Sequence, residues 1–180
     1  MANTLCDTLL SNDILVSCGH DGQIGFNRKA FLFNKEEIMP EAGEGEKVSF
    51  TLTDNSRGYI VEQIGKNPYE GTNTALVVGT YRNSFTHQVK LHIPDTADVA
   101  SVIDEISKGK FVAILDNGVG GLRVYGWFNG LSATEVTNDP TSEDTDGGWV
   151  VTLEETKAKQ ARLTFDGDIA ELEALCKLNA

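Results

Sequence analysis

The sequence predicts a mainly β fold, a β-sandwich or barrel with one flanking α-helix at about residues 95–108 and a short helix at the C-terminus. Three observations carry that prediction. Alternating apolar and polar residues recur in short runs, as in Val89-Lys90-Leu91-His92-Ile93, and a period of two belongs to half-buried strands. The 18 glycines punctuate the chain with turns. Only one internal segment keeps helical spacing, with Val99, Val102, Ile103 and Ile106 on one face.

The elements follow in order. Residues 1–25 mix apolar positions (Leu9, Leu10, Ile14, Leu15, Val16) with a turn at Cys18-Gly19-His20-Asp21-Gly22. Ala30 to Phe33 is a compact apolar strand, and residues 34–40 are a polar turn or a single helical turn. After the acidic, glycine-interrupted loop 41–47, alternation returns at Val48 to Leu52 and at Tyr59 to Ile64. Asn67 to Gly71 has turn chemistry, after which Ala75 to Val78 and Tyr81 to Ile93 continue the sheet.

Asp95 is placed to accept from the exposed N–H groups of the helix's first turn, Asp98 adds negative charge near the positive end of the dipole, and Lys108-Gly109 closes the other end. Strands at Phe111 to Leu115, Leu122 to Phe128 and Trp149 to Glu154 are separated by an Asp116-Asn117-Gly118 turn and by a polar stretch. That stretch begins at Thr134 and becomes the acidic loop 138–148. Asp166-Gly167-Asp168 then opens the C-terminal helix, with Ile169, Leu172, Leu175 and Cys176 as its apolar residues. No linker, repeat or low-complexity tract divides residues 1–180, which read as a single domain. The segments 1–25 and 166–180 are expected to serve as inter-subunit arms.

Charge narrows the function classes. With 27 acidic against 15 basic residues the formal net charge is −12, which repels nucleic acid and anionic membrane. Basic residues are scattered, the nearest approach to a cluster being Lys157, Lys159 and Arg162. No stretch approaches the length of a membrane span, and the N-terminus carries no secretory signature, so no membrane partner is expected. Cys6, Cys18 and Cys176 are an odd set with no metal-ligand spacing and are expected to be reduced, packed thiols.

Candidate chemistry is sparse. Asp139, Glu143, Asp144 and Asp146 supply the closely spaced carboxylates that calcium favours, but no bidentate glutamate follows Gly147 at the expected position, and a solvated acidic hairpin tip is the expectation. Cys18 beside His20-Asp21 pairs a thiol with a base, yet neighbours in a glycine-flanked turn do not define a nucleophile. His87 and His92, five apart on a strand, fall on opposite faces and cannot share a metal. Gly118-Val119-Gly120-Gly121 leads into a strand rather than a helix, so it lacks the N-terminus that holds a phosphate and reads as a hairpin. Tyr125, Trp127 and Phe128 are expected in the core and in subunit packing rather than on a stacking platform. These readings predict a non-enzymatic protein with no catalytic residues and no cofactor.

The order of several segments resembles the major tail tube, or tail-tube-like, virion proteins of phages that infect Bacteroidetes. The segments are Leu15-Val16-Ser17-Cys18-Gly19, Phe31 to Asn34 followed by Glu36-Glu37-Ile38, the helix 95–108 leading into Gly109 to Ile114, Tyr125-Gly126 with Leu131, and Asn138-Asp139-Pro140 closing on Gly147 to Glu154. The resemblance spans roughly residues 10–165. It implies a β-sandwich or barrel assembled with itself into rings, commonly hexameric, that stack around a channel for genome delivery and contact other tail and neck proteins. It also implies a place in the virion tail, after assembly in the host cytoplasm. The Gly19-His20-Asp21-Gly22 turn departs from the family in lacking prolines.

Alternatives are a neck or connector ring of a short-tailed, crAss-like phage, and a carbohydrate-binding β-sandwich module. On the ring reading, the loops 41–47, 65–74 and 138–148 are expected to reach neighbouring subunits or rings. The acidic composition suits a channel wall that DNA passes without sticking, with Glu62 a candidate for its lining.

Overall fold

The computed structural model describes residues 13, 29–41, 43–63, 70–116 and 121–177. Cys6, Cys18, His20, Asp21 and the 118–120 part of the glycine run lie outside the described residues, as do all of segment 1–25 except Asp13 and residues 178–180 of the C-terminal segment.

Strands β1 (Lys29–Asn34) and β8 (Phe111–Asp116) pair antiparallel at the centre of a six-stranded sheet. The apolar runs Ala30 to Phe33 and Phe111 to Leu115 have a direct cause, since at these central strands both faces of the sheet are covered. β5 (Tyr59–Glu62) borders β1. Beyond β8 come β9 (Leu122–Tyr125), β12 (Leu163–Phe165) and β3 (Lys47–Val48), the last running parallel to β12.

One face of this sheet, carrying Ala30, Leu32, Val61, Ala113 and Leu115, packs on a four-stranded antiparallel sheet. Its strand order is β10 (Ser132–Asn138), β11 (Trp149–Ala158), β7 (Ser84–Ile93) and β6 (Asn73–Val77), and it contributes Val89, Leu91, Ile93, Val151 and Leu153 to the core. Helix α1 (Val99–Lys108) lies beside β10 and adds Val99, Val102, Ile103 and Ile106 to the same core. The other face, with Phe31, Phe33, Val112, Ile114 and Val124, is covered by the β2 (Ile38–Pro40) and β4 (Phe50–Leu52) pair and by α2 (Ile169–Cys176). The result is a β-sandwich with an extra layer, and neither main sheet closes into a barrel.

Several boundaries differ from the sequence expectation. α1 begins at Val99 rather than Asp95, because the Asp95 carboxylate accepts from the Trp149 indole N–H at 2.9 Å and Asp98 takes the N-cap position without a side-chain bond. The expected strand 48–52 divides at Ser49, with Val48 pairing to Phe165 and Phe50 to Pro40. The strand expected over 122–128 ends at Tyr125, where Gly126 turns the chain at φ +84°. Trp127 and Phe128 therefore sit in a turn. Tyr81 lies at a hairpin tip instead of in a strand, and residues 134–137, expected as the start of a polar stretch, belong to edge strand β10. β12 was not anticipated at all, being three residues long with one apolar neighbour on each side of Thr164.

The C-terminal helix forms as its sequence signals require. Asp168 accepts from the Glu171 N–H while the Glu171 side chain reaches back to the Asp168 N–H, a complete capping box. Leu172 and Cys176 are buried against the chain's own core, so 169–176 docks as a cover on the Phe31 and Phe33 face. Burial, and then the nearby Asp13 carboxylate, push the Cys176 thiol up to about 12. This thiol is expected to resist alkylation at neutral pH until the protein unfolds, because thiolate is the reactive form. Rapid labelling of the native protein, read by mass spectrometry, would show that α2 is not seated where described.

Candidate functional site

Two features stand out from the packed framework: a buried ionic clamp where the chain crosses between sheets, and the open four-stranded sheet that the clamp supports. At the crossing, Tyr125 to Leu131 must carry the chain from β9 to β10 within a few residues. Gly126 and Gly130 take positive φ values of +84° and +81°. A Cβ on Gly126 would lie 2.5 Å from the Phe111 carbonyl oxygen, so the turn needs glycine there. Three of the turn's N–H groups share one anchor, Glu155 of β11. Its carboxylate accepts from Gly126 N–H at 3.1 Å, Phe128 N–H at 2.8 Å and Asn129 N–H at 2.5 Å.

His87 of β7 stands opposite Glu155 in the sheet register, with Nδ1 3.3 Å from its Oε2 and Nε2 3.0 Å from the Gln160 carbonyl oxygen. Side-chain exposures are 2% for His87 and 0% for Glu155, and the Tyr125 ring meets the imidazole edge-on. Burial raises the Glu155 carboxyl, but the facing His87 and the Asn129 and Phe128 N–H groups outweigh it and hold the group below the ordinary carboxylate value. Lys35 closes the outer side by donating to the Trp127 carbonyl oxygen at 2.7 Å, with its Nζ 5.3 Å from the Trp127 ring centre. Burial lowers the Lys35 pKa, an effect partly opposed by the Glu155 charge. Every oxygen of Glu155 is engaged in holding backbone, an arrangement suited to fixing geometry rather than to moving protons.

One face of the four-stranded sheet packs on the core, and the other is partly covered, with Thr152 6% exposed there and Gln88 donating to the Gly71 carbonyl oxygen. Register and alternating burial place Thr86, Gln88 and Lys90 of β7, Glu154 and Thr156 of β11, and Glu135 and Thr137 of β10 on the face turned away from the core. Among the described residues no strand pairs with the outer side of β6 or of β10. All five residues of β6 are exposed, and the arm that β6 and β7 form carries four of the five exposed large hydrophobics among the described residues, Leu76, Val77, Val78 and Tyr81. Val78 is 76% and Tyr81 101% exposed.

The residues singled out from sequence fall as follows. Asp139, Glu143, Asp144 and Asp146 sit on the exposed β10–β11 connection, whose shape comes from Asn138 donating to the Gly147 and Gly148 carbonyl oxygens. Asp139 is held low by the Thr141 hydroxyl and N–H that it accepts from, and among the described residues no three His, Cys, Asp or Glu side chains gather as a metal site. His92 lies on the face opposite His87, as the spacing requires; burial, foremost, lowers its pKa. Trp127 packs toward Phe50, with ring centres 6.0 Å apart, and forms no outward platform with Tyr125 and Phe128. Glu62 is half-buried at the edge strand β5, opposite Lys29 in register. Beside it, Asp13 bonds to the Arg57 guanidinium and to the Ile60 N–H, each at 2.9 Å, which ties that point of the N-terminal segment to its own chain. The 390 Å³ cleft there is lined by Asp13, Lys29, Arg57 and Glu173, whose charges already face one another.

No protein-family model, no curated protein and no solved structure matches this chain. The sequence reading missed the Glu155 clamp, because a glutamate one position beyond an expected strand end looks like any solvated acid. Its one trace was the strand's continuation past Glu154 at the same period. The exposed arm was missed for a different reason: its apolar composition reads as core.

Proposed function

We propose that this chain is a structural virion protein of tail-tube type, which associates with itself into rings stacked around a channel that conducts the genome. One observation supports this above the others: among the described residues no strand pairs with the outer side of β6 or of β10, which leaves the four-stranded sheet two lateral edges. Open edges are a liability in a monomer, whereas pairing β6 of one copy with β10 of the next removes both and closes a ring when repeated. The face turned away from the core then lines the channel. Its hydroxyl and amide groups, with Glu135 and Glu154 against Lys90, give passing phosphates few cationic holds. On this reading Glu62, on the other sheet, belongs outside the lining.

Negative-stain electron microscopy of the purified chain is expected to show rings with a central hole, and stacks of them. A uniform monomer would overturn the proposal, and rings that never stack would move the protein to a neck or connector position. Removing 138–147 and joining the flanks with a short turn is expected to leave a folded protein that forms rings without stacking. Unchanged stacking would take that loop out of the interface. Tight binding of duplex DNA by purified rings at physiological salt would be incompatible with a conduit.

A further inference from the structure

The four-stranded sheet has chemically opposite ends. Ile93 pairs with Trp149 at one end, so Asp95, Asp98 and the 138–148 loop with Asp139, Glu143, Asp144 and Asp146 gather there. At the other end Val77 pairs with Ser84 and Phe85 with Ala158, which brings together the arm tip, Arg82, Lys157 and Lys159. Residues 71–94 contain neither Asp nor Glu in a chain that has 27 of them. The nearest approach to a basic cluster in the sequence thus sits beside the exposed Val78 and Tyr81, while the densest acidic loop sits at the far end of the same strands.

We propose that copies dock head to tail along the strand direction of this sheet, the β6–β7 arm with Arg82, Lys157 and Lys159 seating against the acidic 138–148 end of the next copy. The proposal deepens the ring reading by naming the two surfaces that meet between stacked rings. A second copy fits better than another partner because both complementary surfaces belong to this chain and lie on one axis. Translation along that axis brings them together, a heterologous contact that propagates. Attraction between exposed opposite charges makes the contact salt-sensitive, and burial of Val78 and Tyr81 supplies a component that salt does not screen.

Two charge variants test it, Arg82→Glu/Lys157→Glu/Lys159→Glu and Asp139→Lys/Glu143→Lys/Asp144→Lys, with circular dichroism confirming that each is folded. Sedimentation velocity is expected to show stacks for the parent and only unstacked species for either variant alone. An equimolar mixture should stack again, because the basic end of one variant meets the acidic end of the other. Val78→Ser/Tyr81→Ser is expected to abolish the stacks that persist at high salt. Stacking by either charge variant alone, or a mixture that stays unstacked, would overturn the docking while rings remain visible. A parent that chains end to end without forming rings would instead support the docking and sink the ring reading.

Discussion

Replacing Glu155 with leucine is expected to lower stability by about 3–5 kcal/mol, a fall in melting temperature of roughly 6–20 °C for a chain of this size. The leucine leaves the Gly126, Phe128 and Asn129 N–H groups without their acceptor and removes the carboxylate facing buried His87. Glu155→Gln keeps one acceptor oxygen and should lose less. The pH dependence has a definite sign. A carboxyl held below its ordinary value of 4.5 in the folded state contributes stability that is present above that value and is lost as pH falls through the lowered folded value. Thermal melts of the parent should therefore weaken on acidification more steeply than those of Glu155→Gln. Equal slopes would mean that the carboxylate charge is not what holds the turn. Because the turn leads directly into β10, the leucine variant should also lose ring formation before it loses secondary structure.

Ile103→Asp is expected to prevent folding. Ile103 and Ile106 belong to the buried stripe of α1, with 7% and 0% exposure, packed in the core shared by both sheets. An unpaired carboxylate there costs several kcal/mol, a large part of the roughly 5–15 kcal/mol by which domains are stable. The protein should be recovered insoluble or with a collapsed melting transition. Ile103→Val, losing one methylene, should cost about 0.5–1.5 kcal/mol and fold normally. If Ile103→Asp melts like the parent and assembles, α1 does not pack between β10 and the six-stranded sheet.

The legible elements were those whose signal is local. Ala30 to Phe33 and Phe111 to Leu115 were read as strands because apolar runs of that length have few other uses, and the buried face of α1 followed from its spacing. β10 and β12 were harder. β10 is an edge strand with one face in solvent, so Ser132 to Asn138 shows little apolar alternation, and β12 is too short to establish a period.

Sequence by itself determined the mainly β class, both helices and the excess of negative charge, because turn chemistry, periodicity and composition act over a few residues or over the whole chain. Tertiary structure alone decided which strands became neighbours, that Glu155 and His87 meet in the core, and that Leu76 to Tyr81 stand in solvent. Those outcomes depend on pairings between residues far apart in the chain. The same glutamate is a solvated acid or a buried anchor according to which backbone N–H groups the fold brings to it. The same valines and tyrosine are core or contact surface according to whether a second layer reaches them.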